Sequence, residues 1–149
     1  MAHQISLITD VEKKIYAVFE HTADIGIKIS GKSLKSIFQR AGLAIFQLSS
    51  EKLQNSKNRK KLIIKQRADK LDELLVNWLN ELLSLSAAKG LIFEKISIKK
   101  IDQQKIEAEV TGADISNYKV NTEIKAATYH QLKIAKNKNG WQAQIILDV

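Results

Sequence analysis

Between residues 24 and 30 hydrophobic and polar side chains alternate, with Ile25, Ile27 and Ile29 set between Asp24, Gly26, Lys28 and Ser30. A period of two places the isoleucines on one face of a strand and the polar residues on the other. Asp24 therefore opens a strand on its polar face. Residues 15–20 lie just before it across His21, Thr22 and Ala23, which predicts a strand pair. After Gly31 and Lys32 the period changes to that of a helix: Leu34, Ile37, Phe38, Ala41, Ile45 and Leu48 share one stripe, Ser33 suits the N-cap, and the pattern fades at Ser49 and Ser50. A second stripe, Leu71, Leu74, Leu75, Trp78, Leu79, Leu82 and Leu85, is longer. Asp69 is expected to cap that helix and Gly90 to end it, with Glu73, Asn77, Asn80 and Glu81 on its rim. Strands are expected at 91–101 and 105–111, then a loop over 112–121. A last hairpin pairs 122–135 with 141–149 across Asn137, Lys138, Asn139 and Gly140. Residues 57–70 read as a basic loop running into a strand through Leu62, Ile63 and Ile64. The sum is α+β: one domain over 1–149, two amphipathic helices on a largely antiparallel sheet, and residues 1–14 as a less ordered N-terminal arm.

Composition narrows this picture. A length of 149 residues with 44% hydrophobic and 27% charged side chains suits one core. With no cysteine, disulfides, thiolate zinc sites, iron-sulfur clusters and cysteine nucleophiles are excluded. No apolar run approaches the ~20 residues of a membrane helix, and Met1-Ala2-His3-Gln4 lacks the features of a signal peptide. The expectation is a soluble, cytoplasmic protein with no membrane contact. Charge is more suggestive: 24 Lys and Arg against 16 Asp and Glu leave +8. Such a balance attracts phosphate, although lysines also simply solvate a surface. The one concentrated stretch holds Lys57, Arg59, Lys60, Lys61, Lys65, Arg67 and Lys70 against Asp69. Within it Arg59, Lys60 and Lys61 are the candidate RNA contacts.

Residues able to carry chemistry are few. There is no phosphate-binding glycine loop, nucleophile elbow, HExxH or EF-hand loop. Asp24 and His21 suit a turn, where Asp is favoured. Asp148 beside Val149 brings a side-chain and a main-chain carboxylate into one small region. With Asp24 nearby these would form the all-oxygen set that hard cations prefer; the plain alternative is a frayed end. His21, Lys125 and His130 are candidates for contact with a partner or a phosphate, Lys125 equally for offsetting Glu123. Tyr129 and His130 would point to opposite faces of a strand. His21, Asp24 and His130 could also hold zinc for a hydrolase, but no second acid or base accompanies them.

Four segments together resemble the archease family: 19–26 (FEHTADIG), 72–83 (DELLVNWLNELL), 122–130 (TEIKAATYH) and the ending 146–149 (ILDV). The resemblance implies a small non-catalytic activator of the RtcB-type RNA ligase of tRNA splicing and RNA repair, engaged transiently, which promotes guanylylation of the ligase by GTP and multiple turnover. It also implies an alternative, an RNA-binding adaptor or a chaperone for a tRNA cytosine-5 methyltransferase, with tRNA or that enzyme as partner. A family calcium site matches Asp24, Asp148 and the carboxylate of Val149, with another hard divalent cation able to stand in its place in cells. Two departures stand out: Asn77 where the family often has Asp, and +8 where many members are acidic.

Overall fold

The structure, a computed structural model, describes residues 3–6, 15–21 and 24–149. The alternating stretch is strand β3 (Asp24–Gly31), preceded by β1 (His3–Ser6) and β2 (Ala17–His21). Of the expected N-terminal arm, residues 1–2 and 7–14 lie outside the described residues. Helix α1 (Leu34–Ser49) starts where Ser33 predicts, the Ser33 hydroxyl accepting the Ser36 N–H at 3.1 Å. Then follow β4 (Ser50–Lys52), β5 (Arg59–Arg67), helix α2 (Leu71–Lys89), β6 (Leu91–Ile101), β7 (Lys105–Asp114), β8 (Tyr118–Val120), β9 (Ala126–Asn137) and β10 (Gly140–Asp148). Hydrogen bonding divides the strands among three sheets, ordered β1-β2-β3-β10-β9, β5-β7-β6 and β4-β8. Every pairing is antiparallel.

Three expectations need correction. Residues 112–121 are not a plain loop: β7 continues to Asp114, a single 3-10 turn (Ile115–Asn117) follows, and β8 pairs with β4. The last hairpin begins at Ala126 rather than at 122 because the preceding backbone is used elsewhere; the Asn121 and Thr122 N–H groups bond Ser49 O at 2.8 and 3.2 Å. Finally, Lys70 rather than Asp69 sits at the N-cap of α2, with no side-chain cap bond. Asp72 in the first turn instead accepts the Glu73 N–H at 2.8 Å, and acids in that turn favour the positive end of the helix. The C-terminus of α2 behaves as read, with Gly90 left-handed at φ 66°.

Both helices pack against both larger sheets, α1 on β3 and β6, α2 on β9, β5 and β6. The core between them includes Ile27, Phe38, Ile45, Leu74, Trp78, Leu82, Ile96, Val110 and Ile145, each at most 2% exposed. Full burial of such side chains stabilises by about 1.5–3 kcal/mol apiece, before the entropy of ordering them. The helices are also tied by one polar bond, Trp78 Nε1 donating to Phe38 O at 2.9 Å. Gly42 allows this closeness, since a Cβ there would stand 2.7 Å from Ile96 Cδ1 and 2.9 Å from Leu82 Cδ1.

Candidate functional site

β3 and β10 are neighbours in the five-stranded sheet, with Ile27 opposite Ile145 and Ile25 opposite Leu147. One further step of that register sets Asp148 opposite Asp24. Residues directly opposite in an antiparallel pair share a face, with Cβ atoms ~4.5–5.5 Å apart. Because Ile25 and Leu147 turn toward the core, the two aspartates turn away from it. On its other side Asp24 pairs with His21 of β2, while Asp148 pairs with Ala126 of β9. Val149, next to Asp148, is partly buried against the core. Among the described residues neither aspartate has an ion-pair partner. The two side-chain carboxylates at a strand end repel one another, and their oxygen chemistry fits a hard divalent cation. Among the described residues no group of three or more His, Asp or Glu side chains is placed to hold a metal ion.

Lys125 lies just before β9, not within it, and its N–H donates to Asp148 O at 2.7 Å. The exposed Lys125 side chain therefore leaves the backbone beside the carboxylates. His130 lies in a bulge: Ile146 pairs with Thr128, but Gln144 pairs with Lys133, so residues 129–132 have no regular partners on β10. Gln131 takes φ 52°, and Thr128 Oγ1 donates to Ile146 O at 3.0 Å while accepting the His130 N–H at 3.3 Å. The bulge cancels the simple alternation expected of Tyr129 and His130, and both are exposed. Asn80, read from sequence as a rim residue, holds this region: its Nδ2 donates to Ala127 O at 3.2 Å and its Oδ1 accepts the Ala127 N–H at 2.8 Å. An amide on the flank of a leucine stripe was the available clue.

The three basic candidates do not converge. Arg59 Nε bonds Glu94 Oε1 at 2.8 Å, in a network where Tyr118 O–H also donates to Glu94 and Lys52 Nζ lies 3.2 Å from it. Burial tends to raise the Glu94 pKa, but the hydrogen bonds from Tyr118, Arg59 and Lys52 outweigh it and hold the carboxyl below its ordinary value. The same burial, with the bond to Glu94, pushes the Tyr118 phenol up. Lys60 points to the other side of β5, lining a recess with Lys57, Lys89 and Asp114. Among the described residues neither Lys60 nor Lys61 has an ion-pair partner.

Two helices gripped between antiparallel sheets, with an acidic end where β3 meets β10, define a class of small α+β domains. Residues 16–149 match the Archease protein family, and the chain belongs to it. It is 34% identical over 142 residues to "Protein archease" of Methanosarcina barkeri, covering 91% of this chain and 97% of that one. The Pyrococcus abyssi archease is 34% identical over 139 residues, covering 88% and 96%. The solution structure of Methanobacterium thermoautotrophicum protein 1598 superposes with a TM-score of 0.72 at 28% identity, covering 91% of this chain and 99% of that one. A Thermotoga maritima crystal structure, titled an archease and possible chaperone, shares the fold with a TM-score of 0.64 at 23% identity, covering 99% and 98%. Among the described residues no helix is long and apolar enough to cross a membrane.

Proposed function

We propose that this archease is a non-catalytic, cytoplasmic activator of an RtcB-type RNA ligase, docking transiently to promote guanylylation of the ligase by GTP. The support for this reading is the β3–β10 register, whose continuation past Ile25 and Leu147 would set Asp24 and Asp148 on one face at one end of the sheet. Asp24, Asp148 and the Val149 carboxylate would hold calcium, or another hard divalent cation in cells. When bound, the cation would neutralise these carboxylates and screen phosphate oxygens brought to the strand end. The chain's own part is to fix the geometry: paired strands hold both aspartates, and Asn80 holds residues 126–128 alongside them. Lys125 brings a positive charge for phosphate to the same end, and His21 and His130 are the further candidate contacts for a partner. An activator of this kind must leave between turnovers, so an exposed tip suits it better than a large apolar interface.

GMP transfer to the ligase histidine, measured with and without this protein, tests the reading. Asp24→Ala and Asp148→Ala are expected each to reduce stimulation at least ~10-fold, the loss of one well-placed charged contact; full stimulation by both variants removes the site assignment. A calorimetric calcium titration of the same variants isolates the metal from the ligase. Adding residues after Val149 should weaken calcium binding by converting its carboxylate to an amide. The Thermotoga protein, described as a possible chaperone, suggests a second reading, protection of a client protein, for which the family resemblance implies a tRNA cytosine-5 methyltransferase. Light scattering of that enzyme during heating separates the two: suppression by wild type and by both aspartate variants alike supports chaperoning through another surface.

A further inference from the structure

The β5-β7-β6 sheet has one face on the helices and one in solvent. Ile64, Ile96, Ile98, Ala108 and Val110 point inward and are buried. The outward positions follow from the register. Lys61 of β5 lies opposite Thr111 of β7, which lies opposite Lys95 of β6. Lys65 lies opposite Glu107, which lies opposite Lys100, and Arg67 lies opposite Lys105. Between Ile98 and Lys100 the register shifts, so Lys99 is an extra residue and both Lys99 and Lys100 are exposed. Against these cations the face carries Glu107, which is 4.0 Å from Lys65, and Glu109, with Asp102 at its end near Lys105 and Arg67. Among the described residues, Lys61, Arg67, Lys95, Lys99, Lys100 and Lys105 form no ion pairs.

We propose that this outward face, through Lys61, Arg67, Lys95, Lys99, Lys100 and Lys105, is a docking surface for the phosphate backbone of RNA. Its occupant follows from charge complementarity. Lysines on an edge strand alone would only guard it against stray pairing. Here Lys105, on the central strand opposite Arg67, joins the cations of the two edges, which edge protection does not require. Surface solvation would balance the signs, as on the outer face of the five-stranded sheet, where Lys28 and Lys133 share a face with Asp24 and Asp148; here the cations outnumber the acids. Neighbouring strands ~4.8 Å apart, with same-face residues ~6.6–6.8 Å apart along each strand, form a grid of cations able to follow a polyanion. The face has no aromatic side chain on which a base could stack, and its exposed apolar residue is Ile63, at 57%. Recognition is therefore of backbone charge rather than sequence, and a lone isoleucine gives a membrane little to bury. This surface lies on a different sheet from Asp24 and Asp148, and the inference is independent of ligase activation.

Fluorescence anisotropy of the full chain with a labelled tRNA and a 20-nucleotide single strand is the test. Affinity at near-physiological salt should fall in the non-specific range of about 10⁻⁴–10⁻⁶ M, and log K for the single strand should fall with log salt at a slope of about −4, as six neutralised phosphates imply. Lys61→Glu/Lys95→Glu/Lys100→Glu should weaken binding at least ~10-fold at low salt and make the slope shallower. Lys35→Glu/Lys136→Glu/Lys138→Glu changes net charge equally on exposed sites elsewhere and should have much the smaller effect. Equal losses from both triple variants, with unchanged thermal unfolding, would overturn the assignment, as would no binding at low salt. Tighter binding of polyglutamate, or of phosphatidylserine vesicles, through the same lysines would also overturn it, in favour of an acidic protein segment or a membrane.

Discussion

Asn80 does for Ala127 what a neighbouring strand would do, filling both its N–H and its C=O. Replacing it with alanine removes two bonds and leaves partly buried main-chain groups unpaired. Asn80→Ala should therefore cost about 1–3 kcal/mol in urea unfolding, and should weaken calcium binding although Asn80 touches no cation. Gly140 is similarly constrained: φ is 130°, and a Cβ would stand 2.5 Å from Gly31 O. Backbone cannot give way as a flexible side chain can, so Gly140→Ala should cost at least ~2 kcal/mol, measured the same way. At this scale the sequence exposed the right atoms but not their meeting. Asp24 and Asp148 could be named as unusual, yet nothing local says that residues so far apart in the chain lie side by side. Their proximity is a property of the β3–β10 register, which a long-range pairing sets.

Elements with strong periodicity were legible. The stripes of α1 and α2, the Ser33 cap, Gly90 and the final hairpin all follow from spacing and turn chemistry. Elements that exist through a distant partner were not: β8 is three residues long and pairs with β4, so residues 112–121 looked like loop. The basic face was hidden likewise, since the 57–70 run supplies one strand and residues 95–105 the rest. Glu94 links these short elements, contacting Lys52 of β4, Arg59 of β5 and Tyr118 of β8. Because its pKa is lowered from 4.5, its stabilising contribution is present above that value and is lost as pH falls through the lower native pKa. The stability difference between wild type and Glu94→Gln should thus be constant near neutrality and shrink only below pH 4.5. The bulge in β9 invites the opposite experiment. Gln131→Gly relieves a left-handed backbone while keeping the carbonyl that accepts Gln144 Nε2 at 3.0 Å, and should stabilise by about 0.5–1 kcal/mol.

Across the whole molecule, the helices bind the two larger sheets into one core, so neither sheet should unfold alone. The two tryptophans report on different parts, Trp78 in α2 between the sheets and Trp141 in β10. In Trp78→Phe and in Trp141→Phe, the remaining fluorescence and far-UV circular dichroism should give the same urea midpoint within each variant. The place of β10 between β3 and β9 has a further consequence for how the fold is reached. Trp141 pairs with Gly31 and Leu147 with Ile25, so more than a hundred residues must be made after β3 before its partner exists. Until then β3 and β9 present bare edges, the state most prone to pairing with another chain. High contact order slows such a search, and during synthesis the five-stranded sheet closes around its latest strand, which makes the interval before β10 emerges the period of greatest exposure to aggregation.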